Sequence, residues 1–122
     1  MGNAVVWVDI PVLDLDRAIA FYSAILGTQL VKADYGTFAL GFLPGEPQTG
    51  DVCGCLYVAD DSAPADQGPL VYLNALSRLD EAEAAIVPAG GTIMQPKHQI
   101  GPHGYRVIFK DTEGNRLALH SM

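Results

Sequence analysis

Apolar positions along the chain fall into two rhythms, and the switches between them mark out the elements. Residues 4–12, AVVWVDIPV, form a strand-like run ended by Pro11. Leu15, Ala18, Ile19, Tyr22, Ile25 and Leu26 then recur at the spacing of one face of an amphipathic helix. Gly27 supplies the left-handed stop, and Asp14 or Asp16 stands where a carboxylate favours the helix N-terminus. QLVKAD, TFALGFL and VCGCLYVA follow as three runs of strand length, parted by Tyr35-Gly36 and by the turn-rich stretch Pro44 to Gly50. This predicts a βαβββ module over residues 4–58. Residues 59–69, with three Asp, two Pro and no large apolar side chain, read as a solvated linker.

The second half repeats the order over residues 70–121. LVYLNAL predicts a strand, Ser77 to Asp80 a capping signature, and Leu79, Ala82, Ile86 and Ala89 the stripe of a helix that Pro88 weakens and Gly90-Gly91 closes. TIMQP, YRVIFK and RLALHS follow as strands, the last two joined by the turn Asp111 to Asn115. An offset of 64 residues aligns LDRAIAFYSAILGTQL with LDEAEAAIVPAGGTIM, with six identities in sixteen positions. A shared helix register together with a shared, irregular element order predicts an internal duplication: an α+β domain of two tandem βαβββ modules whose sheets curve around a common concavity.

Composition narrows the class. At 122 residues the chain has room for one domain, and 49% hydrophobic against 17% charged residues predicts a packed core. A net charge of -7 disfavours nucleic acid and anionic membrane surfaces as partners. The start, MGNAVVWVDIPV, carries neither the basic nor the apolar region of a signal peptide, and no window approaches a membrane span, so a cytoplasmic location is expected. Cys53 and Cys55, two apart on one strand, read as reduced thiols.

Strand alternation sorts the side chains. Val6, Val8, Ile10 and Val12, with Leu117 and Leu119, should meet the helices. The opposite face gathers Trp7, Asp9, Cys53, Cys55, Tyr57, Arg116, Ala118 and His120, and the repeat offset adds Val71 at the place of Trp7 and Leu73 at that of Asp9. Such a lining, apolar with few ionisable groups, suits a small-molecule pocket. A plain second core or a dimer core would use the same residues. KHQIGPHGYR, residues 97–106, brings Lys97, His98, His103 and Arg106 together and reads as a glycine-shaped cationic loop. It could form a lip that recognises an anionic or carbonyl-bearing ligand, with His103 available for acid-base work, or a solvated loop whose cations balance nearby carboxylates.

The segment DIPVLDLDRAIAFYSAILG, within the duplicated βαβββ order, resembles the vicinal oxygen chelate superfamily of glyoxalases, bleomycin-resistance proteins and ring-cleaving dioxygenases. The resemblance spans the whole chain and rests on Asp14-Leu15, Phe21-Tyr22, Leu26-Gly27 and the acidic turn Asp111 to Asn115. It implies a cupped half-barrel, commonly a homodimer. Metal-dependent members hold a cation with His or Gln on the first strand of each module and Glu or His on the last. Carried onto this chain, those positions fall on Trp7, near Val71, on Ala118 and near Cys53 to Cys55, so at least three of four ligands are missing. A displaced zinc site could draw on Asp9, Cys55 and His120. The expectation is a small-molecule-binding homodimer without the usual metal; the alternative is a lyase or isomerase acting on a small carbonyl or carboxylate compound, with Asp9, His103 or His120 moving protons.

Overall fold

The computed structural model describes residues 2–122. The first module runs β1 (Trp7–Pro11), α1 (Leu15–Leu26), β2 (Val31–Asp34), β3 (Ala39–Phe42) and β4 (Cys53–Tyr57). The second runs β5 (Tyr72–Asn74), α2 (Leu79–Ile86), β6 (Thr92–Gln99), β7 (Tyr105–Lys110) and β8 (Arg116–Ser121). Each module forms one four-stranded sheet with the same connectivity, β1-β4-β3-β2 and β5-β8-β7-β6. The first and last strands of each module run parallel and the other neighbours antiparallel. This is the paired α+β architecture expected from the sequence.

The helices pack against each other and against both sheets, so the modules share one core. Tyr22, Phe21 and Ile25 of α1 meet Phe109 and Leu119 of the second sheet in it, with Phe21 and Phe109 ring centroids 5.9 Å apart. Asp14 caps α1 by accepting from the Arg17 amide at 3.0 Å, and Gly27 closes it at φ 71°. The capping signature expected at Ser77 is not made. Arg78 occupies the cap position of α2 without a side-chain hydrogen bond, and the helix ends at Ile86, before Pro88.

Two expectations about faces are corrected. Leu73, expected opposite Asp9 and away from the helices, is buried, pairs with Leu119, and belongs to the helix-side core. Val71 likewise packs against that core. The register shows why. Ile10 pairs with Leu56 as Leu73 pairs with Leu119, and Val12 donates to Tyr57 as Ala75 donates to His120. The strands therefore repeat at an offset of 63 and the helices at 64, because the second strand-to-helix connection holds one residue more. The longer connection turns through Leu76 at φ 55°, its amide held by the Asn74 side chain at 2.9 Å.

Val6, expected against the helices, is exposed, because β1 begins one residue later. The cationic stretch is also not one loop. β6 continues through Lys97 to Gln99 with two register irregularities, and only a short 3-10 turn, Gly101–His103, joins it to β7.

Candidate functional site

The predicted pocket residues divide among separate hollows. The largest share enters an intermodule cavity of about 700 Å³ between β1, the start of β8 and the linker, with Trp7, Asp9, Val71 and Arg116 in its wall. Here the alternation of β1 turns Trp7 and Asp9 outward while Ile10 enters the core. The Trp7 indole N–H donates to Asp9 Oδ1 at 2.7 Å, and the ring meets Phe42 edge-on at 6.4 Å. Arg116, at the first position of β8, supplies the cation of the cavity, and its backbone amide is tied to Ala65 of the linker. The cavity thus offers an indole face, one carboxylate and one guanidinium within a mainly apolar wall.

Cys55 and Ala118, both expected in the lining, are buried in their strands. The Cys55 thiol donates to Asp9 Oδ1 at 3.4 Å. Burial first, and then the neighbouring Asp9 carboxylate, push this thiol up to about 11. Cys53, Val71 and Leu73 border a second hollow of about 670 Å³ that also reaches Gly27 and Arg78. Tyr57 lies elsewhere, beside Leu40 and the acidic start of the linker. Of the two readings of the cationic stretch, Lys97 follows the one in which a cation balances a carboxylate: its ammonium pairs with Asp80 on α2 at 2.9 Å and lies over the Tyr105 ring, away from the hollows described above.

A third hollow, of about 460 Å³, is lined by Tyr72, Ile100, His103, Arg106 and His120. Arg106 and His120 are cross-strand partners on β7 and β8, as are His98 and Arg106 on β6 and β7. Sheet register therefore sets His98 and His120 on either side of one arginine, and the 3-10 turn adds His103 to the same hollow. The His120 ring N–H at Nε2 donates to the His103 carbonyl at 2.6 Å. Asp9 lines the intermodule cavity and the two histidines line this one, so the structure does not assemble the three expected proton-transfer groups at one place. Tyr72, which borders both, escapes the sequence reading because the 64-residue offset assigns it to the helix side.

The donor set does not fit the metal implied by the resemblance. Strand register sets Leu70 at the counterpart of Trp7, in place of Val71, and pairs Cys55 with Ala118 across the repeat. Trp7, Leu70 and Ala118 offer no ligand atom, leaving one sulfur. Asp9 and Cys55 do meet, but His120 faces the other hollow, and no group of three His, Cys, Asp or Glu with metal-holding spacing occurs among the described residues.

A polar cluster in the turn that joins the last two strands completes the frame. Asp111, Glu113 and Asn115 are buried between the modules. Asp111 accepts from the Tyr22 hydroxyl at 2.6 Å, and Asn115 donates to the Pro11 carbonyl at 2.8 Å, fixing the end of β1 beside the intermodule cavity.

Paired βαβββ modules around shared hollows define a class of small-ligand α+β domains, and the comparisons with known proteins place the chain within it. A family model matches residues 4–119, and the chain belongs to the glyoxalase/bleomycin resistance protein/dioxygenase superfamily. Similar structures include a glyoxalase/bleomycin resistance protein from Albidiferax ferrireducens, 20% identical, TM-score 0.79, covering 98% of this chain and 99% of that one. The fosfomycin resistance protein FosX from Listeria monocytogenes is 17% identical, TM-score 0.64, with 100% and 93% covered. A lactoylglutathione lyase from Agrobacterium tumefaciens is 18% identical, TM-score 0.63, with 98% and 93% covered. At these identities the likeness is one of fold. No curated protein matches the chain in sequence. No helix among the described residues is long and apolar enough to cross a membrane.

Proposed function

We propose that this chain is a small-molecule-binding member of its superfamily that works without the family's metal, taking its ligand in the intermodule cavity. The observation that carries this reading is the replacement of ligand atoms by Trp7, Leu70 and Ala118, beside a mainly apolar cavity of about 700 Å³ with Asp9 and Arg116 as its charged anchors. Cavities of this size and lining bind drug-sized molecules, with polar groups fixing orientation. The fitting ligand is a compact, largely apolar molecule with a flat portion to lie against the indole and polar groups toward Asp9 and Arg116.

Two measurements test it. Metal analysis of protein purified without chelator is expected to show substoichiometric zinc, nickel, manganese and iron, and one equivalent of any of them per chain overturns the reading. Trp7 is the sole tryptophan, so its emission reports occupancy of this cavity directly. A screen of aromatic metabolites is expected to yield saturable emission changes that Arg116→Ala weakens about tenfold. A screen without any saturable change removes the site.

The assembly proposed is a homodimer. Trp7 and Tyr72 are large, exposed apolar side chains that border one cavity between the modules, and a contiguous apolar surface marks an interaction face. Sedimentation equilibrium at micromolar concentration is expected to give twice the chain mass, and a mass near 13.0 kDa refutes the dimer.

A further inference from the structure

We infer that the hollow beneath the β6-β7 turn is a second, oxyanion-binding site, in which Arg106 receives the carboxylate or phosphate group of a small ligand. It does not rest on the intermodule cavity. Four of the chain's seven Lys and Arg side chains pair with carboxylates: Arg17 with Glu113, Lys32 with Asp16, Lys97 with Asp80 and Lys110 with Asp66. Arg78, Arg106 and Arg116 have no carboxylate within ion-pair distance among the described residues, and of these Arg106 alone is held there by two neutral side chains, His98 and Tyr72.

Those partners fix the guanidinium and leave donors over. Arg106 Nε donates to His98 Nε2 at 2.9 Å, and one Nη1 hydrogen goes to the Tyr72 hydroxyl. His98 can accept at Nε2 because its Nδ1–H is engaged with the Pro96 carbonyl at 2.8 Å, which sets the tautomer. Of the five N–H donors of a guanidinium, three then lack a protein partner among the described residues, on a side chain that lines the hollow. A half-buried cation held rigid by neutral hydrogen bonds, with parallel donors over, is built to bind a two-oxygen anion in a fork. Ile100 and the Tyr72 ring, 5.9 Å from the guanidinium carbon, wall the hollow with apolar surface, so the anion would carry a small apolar or aromatic body. The His120 ring, fastened to the His103 carbonyl, also lines the hollow.

The experiment is an NMR titration of isotope-labelled full-length chain with benzoate and, separately, inorganic phosphate. The expected result is saturable shifts at the Arg106 Nε–H and the imidazoles of His103 and His120 for one or both probes. Arg106→Gln should weaken binding at least tenfold while its amide spectrum stays superimposable elsewhere. Benzoate alone identifies a carboxylate site, and phosphate alone a phosphate-ester site. No saturable shift at these groups with either probe, or unchanged affinity in Arg106→Gln, overturns the proposal. If Arg106→Gln does not fold, Arg106→Lys keeps the charge and loses the fork, and benzoate affinity unchanged in that variant is equally fatal. Trp7 emission is followed in parallel: a response that persists in Arg106→Gln reports the intermodule cavity, whereas loss of the Arg106, His103 and His120 shifts in that variant reports this site, so the two proposals stand or fall separately.

Discussion

Glu113 grips Arg17 across the module boundary with both carboxylate oxygens, Oε2 lying 2.7 Å from Nε and Oε1 2.9 Å from an Nη2 nitrogen. The same oxygens accept from the Leu13 and Asp14 amides and the Thr112 hydroxyl, so one side chain before β8 organises the start of α1. Burial by itself would push this carboxyl up, but Arg17, Thr112 and the two amides outweigh it and hold the group at about 2.

A carboxyl lowered on folding stabilises the native state above its unfolded value, near 4.5, and that contribution is lost as the pH falls through about 2. Acid unfolding of the wild type is expected to steepen across this window, and Glu113→Gln should flatten it. At neutral pH Glu113→Gln should cost about 3 kcal/mol, since it leaves buried donors with a weaker partner, whereas Arg17 is half exposed and relaxes into water. Urea melts at pH 7 and pH 3 check both statements; equal pH profiles for the two proteins would show that Glu113 is not the responsible group.

Cys55 should be slow to alkylate. With its thiol at about 11, the thiolate fraction at pH 8 predicts a rate roughly 100-fold below that of a free cysteine, before steric shielding. Asp9→Asn removes the neighbouring anion and should raise the rate several-fold, leaving the burial contribution in place. Iodoacetamide labelling resolved by peptide mass mapping reads this, and a rate matching free cysteine would contradict the burial of Cys55 beside Asp9.

Leu76 is held in a left-handed conformation that costs a branched residue about 1 kcal/mol, and it is 68% exposed, so little packing is lost on replacing it. Leu76→Asn is expected to raise the melting temperature by a few degrees. A lower melting temperature would mean that the leucine contributes through contacts that outweigh its backbone strain.

Gly104 stands at φ 94° and ψ −146°, and a Cβ there would run into the Ser121 carbonyl. Gly104→Ala should therefore cost about 2–3 kcal/mol in denaturant melts. It should also disturb the His120 to His103 hydrogen bond, which a change in the His120 ring resonances would report.

Runs and periodicity of apolar residues were sufficient for the eight strands and two helices, because each depends on local spacing, and the repeat of that order at a 64-residue offset carried the duplication. YRVIFK and RLALHS emerge as β7 and β8 with the bounds read from sequence. Alternation also put Trp7 and Asp9 on the outward face of β1. Tertiary structure decided the rest. One extra residue before α2 shifts β5 by a position against the helix repeat, and with a side-chain period of two that sends Leu73 into the core and Tyr72 to the cavities. The sequence marks Asp111 to Asn115 only as a turn, yet packing of the modules buries its polar side chains against Arg17, Tyr22 and Pro11, where Glu113, Asp111 and Asn115 find partners 96, 89 and 104 residues away. The Arg106 cluster belongs in part to the same category: spacing along the chain already sets His98 near Arg106, but only register across the sheet adds Tyr72 and His120 to that guanidinium.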